Sequence, residues 1–367
     1  MTPAFWQGKR VFLTGHTGFK GSWLALWLAQ LGAKVSGYAL APPTEPSLFA
    51  LAKVEASLSQ HTLADIRDLD AVRRAMTSAM PDIVIHMAAQ PLVREGYSDP
   101  VGTYGVNVMG TVNLLEALRG TPSVRAALIV TTDKCYENSD AVRSFRESDR
   151  LGGRDPYSNS KACAELVAMA YRQSFFAAQD CARIATARAG NVIGGGDWAK
   201  DRLIPDLVQA FMQGAVPLIR SPHAVRPWQH VLEPLAGYLS LCEALWSGGA
   251  DEGWNFGPSP DDAKPVSWIA DRLAQLWGGK AHWTLDNNAS HPHEAAYLSL
   301  DIGKAGAQLD YAPHWLLDDA LASIVAWYKA YVAGEDIGRV TGEQIAAFQA
   351  GQKPPRVTAG QAEGVGM

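Results

Sequence analysis

Arg10-Val-Phe-Leu-Thr-Gly-His-Thr-Gly-Phe-Lys-Gly21 is the stretch on which the fold turns. Arg10 to Thr14 is a short run of β-branched and aromatic residues. Gly15, Gly18 and Gly21 stand three apart, and Phe19 to Leu31 is built of helix formers that stop at Gly32. These residues read as strand, turn, helix. Glycine at this spacing lets the backbone turn tightly, come close to a pyrophosphate and pack a helix against a strand. The helix N-terminus then faces the phosphates. A glycine triplet alone is a weak signal, but one that closes a first strand and opens a first helix has the setting a dinucleotide site requires. Gly15, His16, Thr17, Gly18, Phe19, Lys20 and Gly21 are the expected contacts of this turn.

Outward from the turn, strand-like and helix-like runs alternate. Val35 to Ala39 reads as a second strand, Ala71 to Met80 as a helix, and Asp82 to His86 as a strand that runs into Ala88-Ala89-Gln90. Val106 to Leu118 reads as a helix, Ala126 to Thr131 as a near-continuous apolar strand, and Tyr157 to Phe176 as a long helix announced by Asp155-Pro156. Strands apolar on both faces and separated by helices imply an α/β chain, a Rossmann-like doubly wound parallel sheet covered on both sides. After Ala189 the pattern loosens through Gly194-Gly195-Gly196-Asp197, Pro205, Pro217, Pro222 and Pro227, which suggests a smaller C-terminal substrate-binding lobe. The expected division is a dinucleotide-binding domain over 1–190, rejoined by a segment near 225–257. A mainly substrate-binding lobe follows over 191–335, and the tail at 352–367 is expected to be flexible.

Bulk properties narrow the function classes. With 47% hydrophobic and 19% charged residues and twelve tryptophans, the 367-residue chain can bury a large core. A net charge of −5 provides no basic patch for a phosphate backbone, so nucleic acid is not an expected partner. Cys135, Cys163, Cys181 and Cys242 are scattered without a Cys-x-x-Cys pair, which argues against a disulfide framework and a zinc site and for the cytoplasm. Met1 to Arg10 lacks a signal-peptide pattern. Ser22 to Leu31, broken by Gln30, is too short for a membrane span and reads as a buried helix.

The acidic residue expected about twenty positions after the glycine turn, to grip a ribose 2′-hydroxyl, is missing. Gly37-Tyr-Ala-Leu-Ala-Pro42 has no carboxylate, so the second strand leaves NAD against NADP open. Chemistry is suggested further on. Tyr157 and Lys161 fall at i and i+4 on one helix face, where an ammonium can lower the pKa of a phenol so that it exchanges a proton with a sugar hydroxyl. The apolar strand before them ends in Thr131-Thr132-Asp133-Lys134, which would deliver a hydroxyl, an acid and a base to the same place.

Taken in order, these motifs resemble the extended short-chain dehydrogenases, and specifically the nucleotide-sugar 4,6-dehydratases. The resemblance runs from about residue 5 to 330 and is carried by Gly15 to Trp23, Tyr38 to Leu48, Ala89 to Arg94, Asn107 to Thr111, Asp133 to Asn138 and Asp155 to Ser158. Asp133-Lys134 is its most specific piece, because relatives acting on dTDP- or GDP-sugars usually carry Glu at the second position. That favours CDP-glucose as the substrate. The resemblance implies NAD, with Asp65-Ile66 meeting the adenine and Ala88, Ala89, Gln90 and Asn107 among the cofactor contacts.

By the same resemblance, Tyr157, assisted by Lys161 and Thr132, would deprotonate the sugar 4-hydroxyl. Lys134 would take the carbon 5 proton and Asp133 would protonate the departing 6-hydroxyl, although the roles within that pair stay open. Gln90, Asn191, Arg202, Leu203, Arg226 and Tyr297 are the implied substrate contacts. Arginine suits a diphosphate because its planar fork can bond two oxygens at once. Ala296 stands where many relatives have a phosphate-binding arginine. His282, His291 and His293 lack the partners of a metal site, and no metal is expected. The resemblance also implies a homodimer paired through Val106–Leu118 and Tyr157–Phe176, and a product used for surface polysaccharide such as lipopolysaccharide O-antigen. The rival functions are a nucleotide-sugar 4-epimerase, which needs no elimination pair, a 4,6-dehydratase acting on a different nucleotide sugar, and a non-catalytic dinucleotide sensor, which would not need Tyr157 and Lys161.

Overall fold

The structure, a computed structural model, describes residues 1–138, 142–178, 180–286 and 297–354. Its centre is a seven-stranded parallel sheet made of β1 (Arg10–Thr14), β2 (Lys34–Ala39), β3 (Gln60–Leu63), β4 (Ile83–His86), β5 (Ala126–Val130), β6 (Arg183–Ala189) and β7 (Gly253–Phe256). The strand order is β7-β6-β5-β4-β1-β2-β3. Every ladder in it is parallel. β4 and β5 are buried along their whole length, as strands covered on both faces must be, and this is why they read as unbroken apolar runs. The order reverses between β1 and β4. A crevice opens at such a switch point, beyond the carboxyl ends of the strands, and there an open α/β sheet takes its ligand.

Helices α1 (Phe19–Gln30), α2 (Leu69–Ala79), α3 (Gly110–Arg119), α4 (Pro156–Phe175), α5 (Leu203–Met212) and α6 (Leu232–Ser247) include those that cover the sheet. α1 is buried nearly all round, including Trp23 and Trp27, because the C-terminal helix α8 (Ile337–Gln349), which packs on α7 (Leu317–Val332), lies against it. Trp27 meets the Phe348 ring edge-on at 5.6 Å, and Trp23 Nε1 donates to Gly195 O at 2.9 Å. The Ser22–Leu31 run is thus part of a buried helix. Its apolarity serves a core that continues from the sheet into the C-terminal region.

The helix expected over Val106–Leu118 is not uniform. A short helix, Pro100–Tyr104, passes through a wide turn at Gly105–Met109 before α3 begins. Asn107 lies in this turn, where its amide donates to Gln90 O at 3.1 Å and to Ser160 Oγ at 2.9 Å. Wide turns of this kind are common beside functional sites. Beyond β6, the chain forms two- and three-residue strand pairs, such as Val225–Pro227 with Ala263–Pro265, in place of a second large sheet.

Candidate active site

The carboxyl ends of β1, β4, β5 and β6 open into a cleft of about 1700 Å³. On its cofactor side each glycine of the turn has a separate steric reason. Gly15 has φ +76°, and a Cβ there would sit 2.8 Å from Ala88 N. A Cβ on Gly21 would lie 2.1 Å from Gly15 O. Gly18 is different: it caps α1 without a side-chain hydrogen bond, and the nearest atom to an added Cβ is 3.4 Å away. The two tight glycines close the turn, and the open one leaves bare N–H groups at the helix N-terminus facing the cleft. This arrangement fits a dinucleotide pyrophosphate. Thr14 Oγ1 pins the turn to β4 by accepting from Met87 N and Ala88 N, each at 3.0 Å.

Thr17, Phe19, Lys20, Asp65, Ile66, Ala88 and Ala89 line the cleft with the three glycines. Asp65 is held by Arg67, whose side chain keeps it below the usual carboxylate range. His16, Gln90 and Asn107 stand behind the lining. His16 packs over Gly37, where a Cβ would come within 2.6 Å of the imidazole, and its Nε2 lies 2.8 Å from His61 Nδ1. Burial and the neighbouring His61 bring the His16 pKa down to about 4, so the imidazole is neutral. Gln90 reaches Thr103 Oγ1 at 2.8 Å and Asn107 ties the 88–92 loop to α4, so both brace the wall from behind. Lys20 donates to Tyr238 OH at 2.9 Å, and burial together with Lys161 and Arg202 lowers its pKa to about 7. Tyr238, 218 residues away in sequence, carries no local signal that could have revealed it.

Thr132, Asp133, Lys134, Tyr157 and Lys161 all line the same cleft. β5 delivers the first three: its last residue is Val130, and Asp133–Cys135 form a single tight turn capped by Thr132. α4 delivers the other two, starting where Asp155 accepts from Ser158 N at 2.9 Å. Asp133 is 1% exposed. Its Oδ1 accepts from Thr132 Oγ1 at 3.0 Å, and its buried Oδ2 has no hydrogen-bond partner among the described residues. A Cβ on Gly190 would collide with that oxygen at 1.8 Å, so the glycine makes room for the carboxylate.

One electrostatic expectation is corrected. Lys161 is not among the groups that lower the Tyr157 pKa: burial pushes it up to about 12, and a hydrogen bond shared with Thr132 only partly offsets this. The Lys161 ammonium is turned to Val130 O at 3.3 Å, and burial lowers its own pKa to about 8.

On the opposite side, Asn191, Arg202, Leu203 and Arg226 line the cleft. Asn191 has φ +35° and a buried Oδ1 without a hydrogen-bond partner among the described residues, the kind of local strain that clusters at ligand sites. Arg202 Nη1 bonds Asp197 Oδ2 at 2.8 Å, and its charge is felt by Tyr157. Arg94 bonds Asp201 at 2.9 Å across the cleft mouth, with Arg220 at 3.6 Å from the same carboxylate. These carboxylate-held arginines, apart from Arg202, were not singled out from sequence, because no spacing links Arg94 or Arg220 to Asp201. Tyr297 stands outside the lining, bridged to Val225, with its carbonyl accepting from Asn138 at 3.2 Å. Ala296, His291 and His293 lie outside the described residues. His282 bonds Lys280 O, and no group of three metal-ligating side chains occurs among the described residues.

A dinucleotide cradle at the switch point of a parallel sheet, with a tyrosine and a lysine one helical turn apart beside it, defines the class of nicotinamide-dependent short-chain dehydrogenase-type enzymes. Residues 11–257 match the model of the NAD dependent epimerase/dehydratase family, and the chain belongs to that family, with NAD as its cofactor. It is 53% identical over 339 residues to CDP-glucose 4,6-dehydratase of Salmonella typhimurium, a match covering 91% of this chain and 94% of that protein. Among solved structures it is similar to DesIV, the dTDP-glucose 4,6-dehydratase of Streptomyces venezuelae with NAD and TYD bound. The TM-score is 0.74 and the identity 25%, over 90% of this chain and 99% of that one. UDP-glucose 4-epimerase of Thermotoga maritima shares the fold at a TM-score of 0.75 and 20% identity, over 88% and 99% of the two chains.

Proposed function

We propose that the protein converts CDP-D-glucose to CDP-4-dehydro-6-deoxy-D-glucose and water. The observation that carries this reading is that one cleft holds two sets of groups: Tyr157 with Thr132 and Lys161, suited to oxidation, and Asp133 with Lys134, suited to elimination. The close identity with the Salmonella enzyme supports it. NAD, when bound, takes hydride from carbon 4 and gives it back at carbon 6, so the net reaction is redox-neutral.

The chain's own residues would do the rest. Tyr157 takes the 4-hydroxyl proton, while Thr132 bonds the same oxygen and the Lys161 cation offsets the charge that develops. A ketone at carbon 4 acidifies the carbon 5 hydrogen, which Lys134 removes as Asp133 gives a proton to the departing 6-hydroxyl; carbon 5 takes a proton back from Lys134 when hydride reaches carbon 6. Arg202 and Arg226, on the substrate side, would bind the diphosphate, with Asn191 beside the sugar. Incubation with CDP-glucose is expected to yield a 4-keto-6-deoxy product that absorbs in alkali, whereas recovery of epimerised sugar alone would replace the dehydratase reading by a 4-epimerase.

A homodimer belongs to the same proposal. Met109 on the wide turn before α3, and Leu166, Met169 and Phe175 on α4, are exposed apolar residues on the two helical segments that would pair. The cytoplasm suits four cysteines that are all free thiols. No helix among the described residues is long and apolar enough to cross a membrane.

A further inference from the structure

Behind the cleft a buried ion pair links the two sets of groups. Glu165 lies on α4 one turn beyond Lys161 and two beyond Tyr157, and Arg188 lies on β6; they are 4% and 5% exposed. Arg188 Nε and Nη2 donate to Glu165 Oε1 and Oε2 at 3.0 and 2.8 Å, and the Thr131 and Thr186 hydroxyls donate to the same carboxylate at 2.5 and 2.6 Å. The third nitrogen of the fork, Nη1, reaches the other way, to Tyr136 OH at 2.7 Å and Glu147 O at 3.2 Å. Tyr136 OH donates onward to Asn255 Oδ1 at 2.7 Å, and its ring stacks on Phe145 with centroids 4.9 Å apart.

Each end of this chain of bonds meets a different part of the proposed reaction. Glu165 extends the helix of Tyr157 and Lys161. Tyr136 comes two residues after Lys134 and ends the short turn that carries Asp133 and Lys134. The upstream end of that turn is fixed by β5. Downstream it is held by the backbone bond from Gly152 N to Cys135 O, at 2.8 Å, and by the Tyr136 side chain. A buried ion pair adds little net stability over apolar residues of the same volume, so its contribution here is geometric. Arginine suits the task because one planar fork can hold Glu165 with one edge and Tyr136 with the other, which a lysine cannot do.

We propose that Arg188 and Tyr136 are positioning residues that set the elimination pair, Asp133 and Lys134, at its working distance from Tyr157 and Lys161. Elimination therefore depends on the Tyr136 hydroxyl, and oxidation at carbon 4 does not. The inference rests on the dehydratase reading above.

The test uses the full-length enzyme with NAD and CDP-glucose in deuterated water. It follows nicotinamide reduction, deuterium entry at carbon 5 and formation of the 4-keto-6-deoxy product. Tyr136→Phe keeps the ring stack and removes only the hydroxyl. Cofactor reduction is expected at the parental rate, with exchange at carbon 5 and product formation slowed roughly tenfold to a hundredfold. That is the scale on which a ~1 Å misplacement acts. Reduced nicotinamide then accumulates. Arg188→Lys keeps a cation against Glu165 but cannot serve both partners, and it is expected to separate the steps in the same way, which keeps the test available if Tyr136→Phe folds poorly. In a variant that melts with the parent, equal slowing of both steps, slowing of neither, or a change in KM alone overturns the proposal. A parent enzyme that neither reduces NAD with CDP-glucose nor forms product overturns the dehydratase reading itself, and the inference with it.

Discussion

The two walls of the cleft are built on different physical terms. On the cofactor wall, backbone geometry does the positioning: Gly15 and Gly21 leave no room for a side chain, Thr14 staples the turn to β4, and Tyr157 and Lys161 ride on one rigid helix. On the substrate wall, strands of two or three residues carry the chain, and arginines are held by nearby carboxylates, Arg202 by Asp197 and Arg94 by Asp201. A wall made of packed backbone cannot change partners. A wall made of paired charges can, because a diphosphate offers the same arginines a competing set of oxygens. On the proposed reading, the difference separates a part of the site that would hold one cofactor through many turnovers from a part that would take and release a charged substrate.

Four measurements bear on that contrast. Tyr157→Phe should cost the most: kcat is expected to fall about 10²–10⁴-fold, the usual worth of a positioned acid–base group, with KM little changed. Unchanged turnover would remove Tyr157 from the chemistry. Arg202→Met should act on the other wall, raising KM for the nucleotide sugar by the equivalent of roughly 1.5–3 kcal/mol, the worth of a hydrogen bond to a charged group, while kcat holds. If kcat fell and KM held, Arg202 would belong with Tyr157, to which its charge already extends.

Gly21→Ala should show how little the cofactor wall can give. Its methyl would overlap Gly15 O, so a loss of about 1–3 kcal/mol in thermal unfolding is expected, together with loss of NAD binding. A variant as stable as the parent would mean that the turn is softer than its packing indicates. The smallest effect concerns pH. Burial brings Lys161 down to about 8, so its cation is present below that pH and disappears above it. Activity that needs the cation should decline as pH rises through about 8, by roughly tenfold per unit. Tyr157 acts as a base only in its deprotonated form, which burial disfavours, so activity should rise with pH below that decline. Lys161→Met should abolish the alkaline decline along with most of the activity.

The legibility of the chain follows the same division. The glycine turn, the Tyr157–Lys161 pair and the Thr132-Asp133-Lys134 run were readable because each is a local spacing. One turn of helix separates the two α4 groups, and a single tight turn follows β5. The alternation of apolar strands and helices implied the parallel sheet for a related reason, since burial on both faces leaves its mark residue by residue. The wide turn at Gly105–Met109 was not readable, and the partners that Asn107 meets there, Gln90 and Ser160, include one 53 residues away. Neither was the burial of Tyr157. The i, i+4 spacing suggested a lowered phenol pKa, but Lys161 spends its nearest hydrogen bond on Val130 O, and burial prevails.

By itself, the sequence determined the strand-turn-helix at Arg10–Gln30, the order of elements around it, and which side chains arrive at the carboxyl end of β5 and the amino end of α4. Only the tertiary structure decided what those side chains meet there. Lys20 is matched to Tyr238, Arg188 joins Glu165 to Tyr136, and Arg94 crosses the cleft to Asp201. Local spacing is written in φ, ψ and the helical repeat, so it survives in the order of residues. Partnerships across 23 to 218 positions depend on how the layers pack, and packing leaves no periodic trace in the chain.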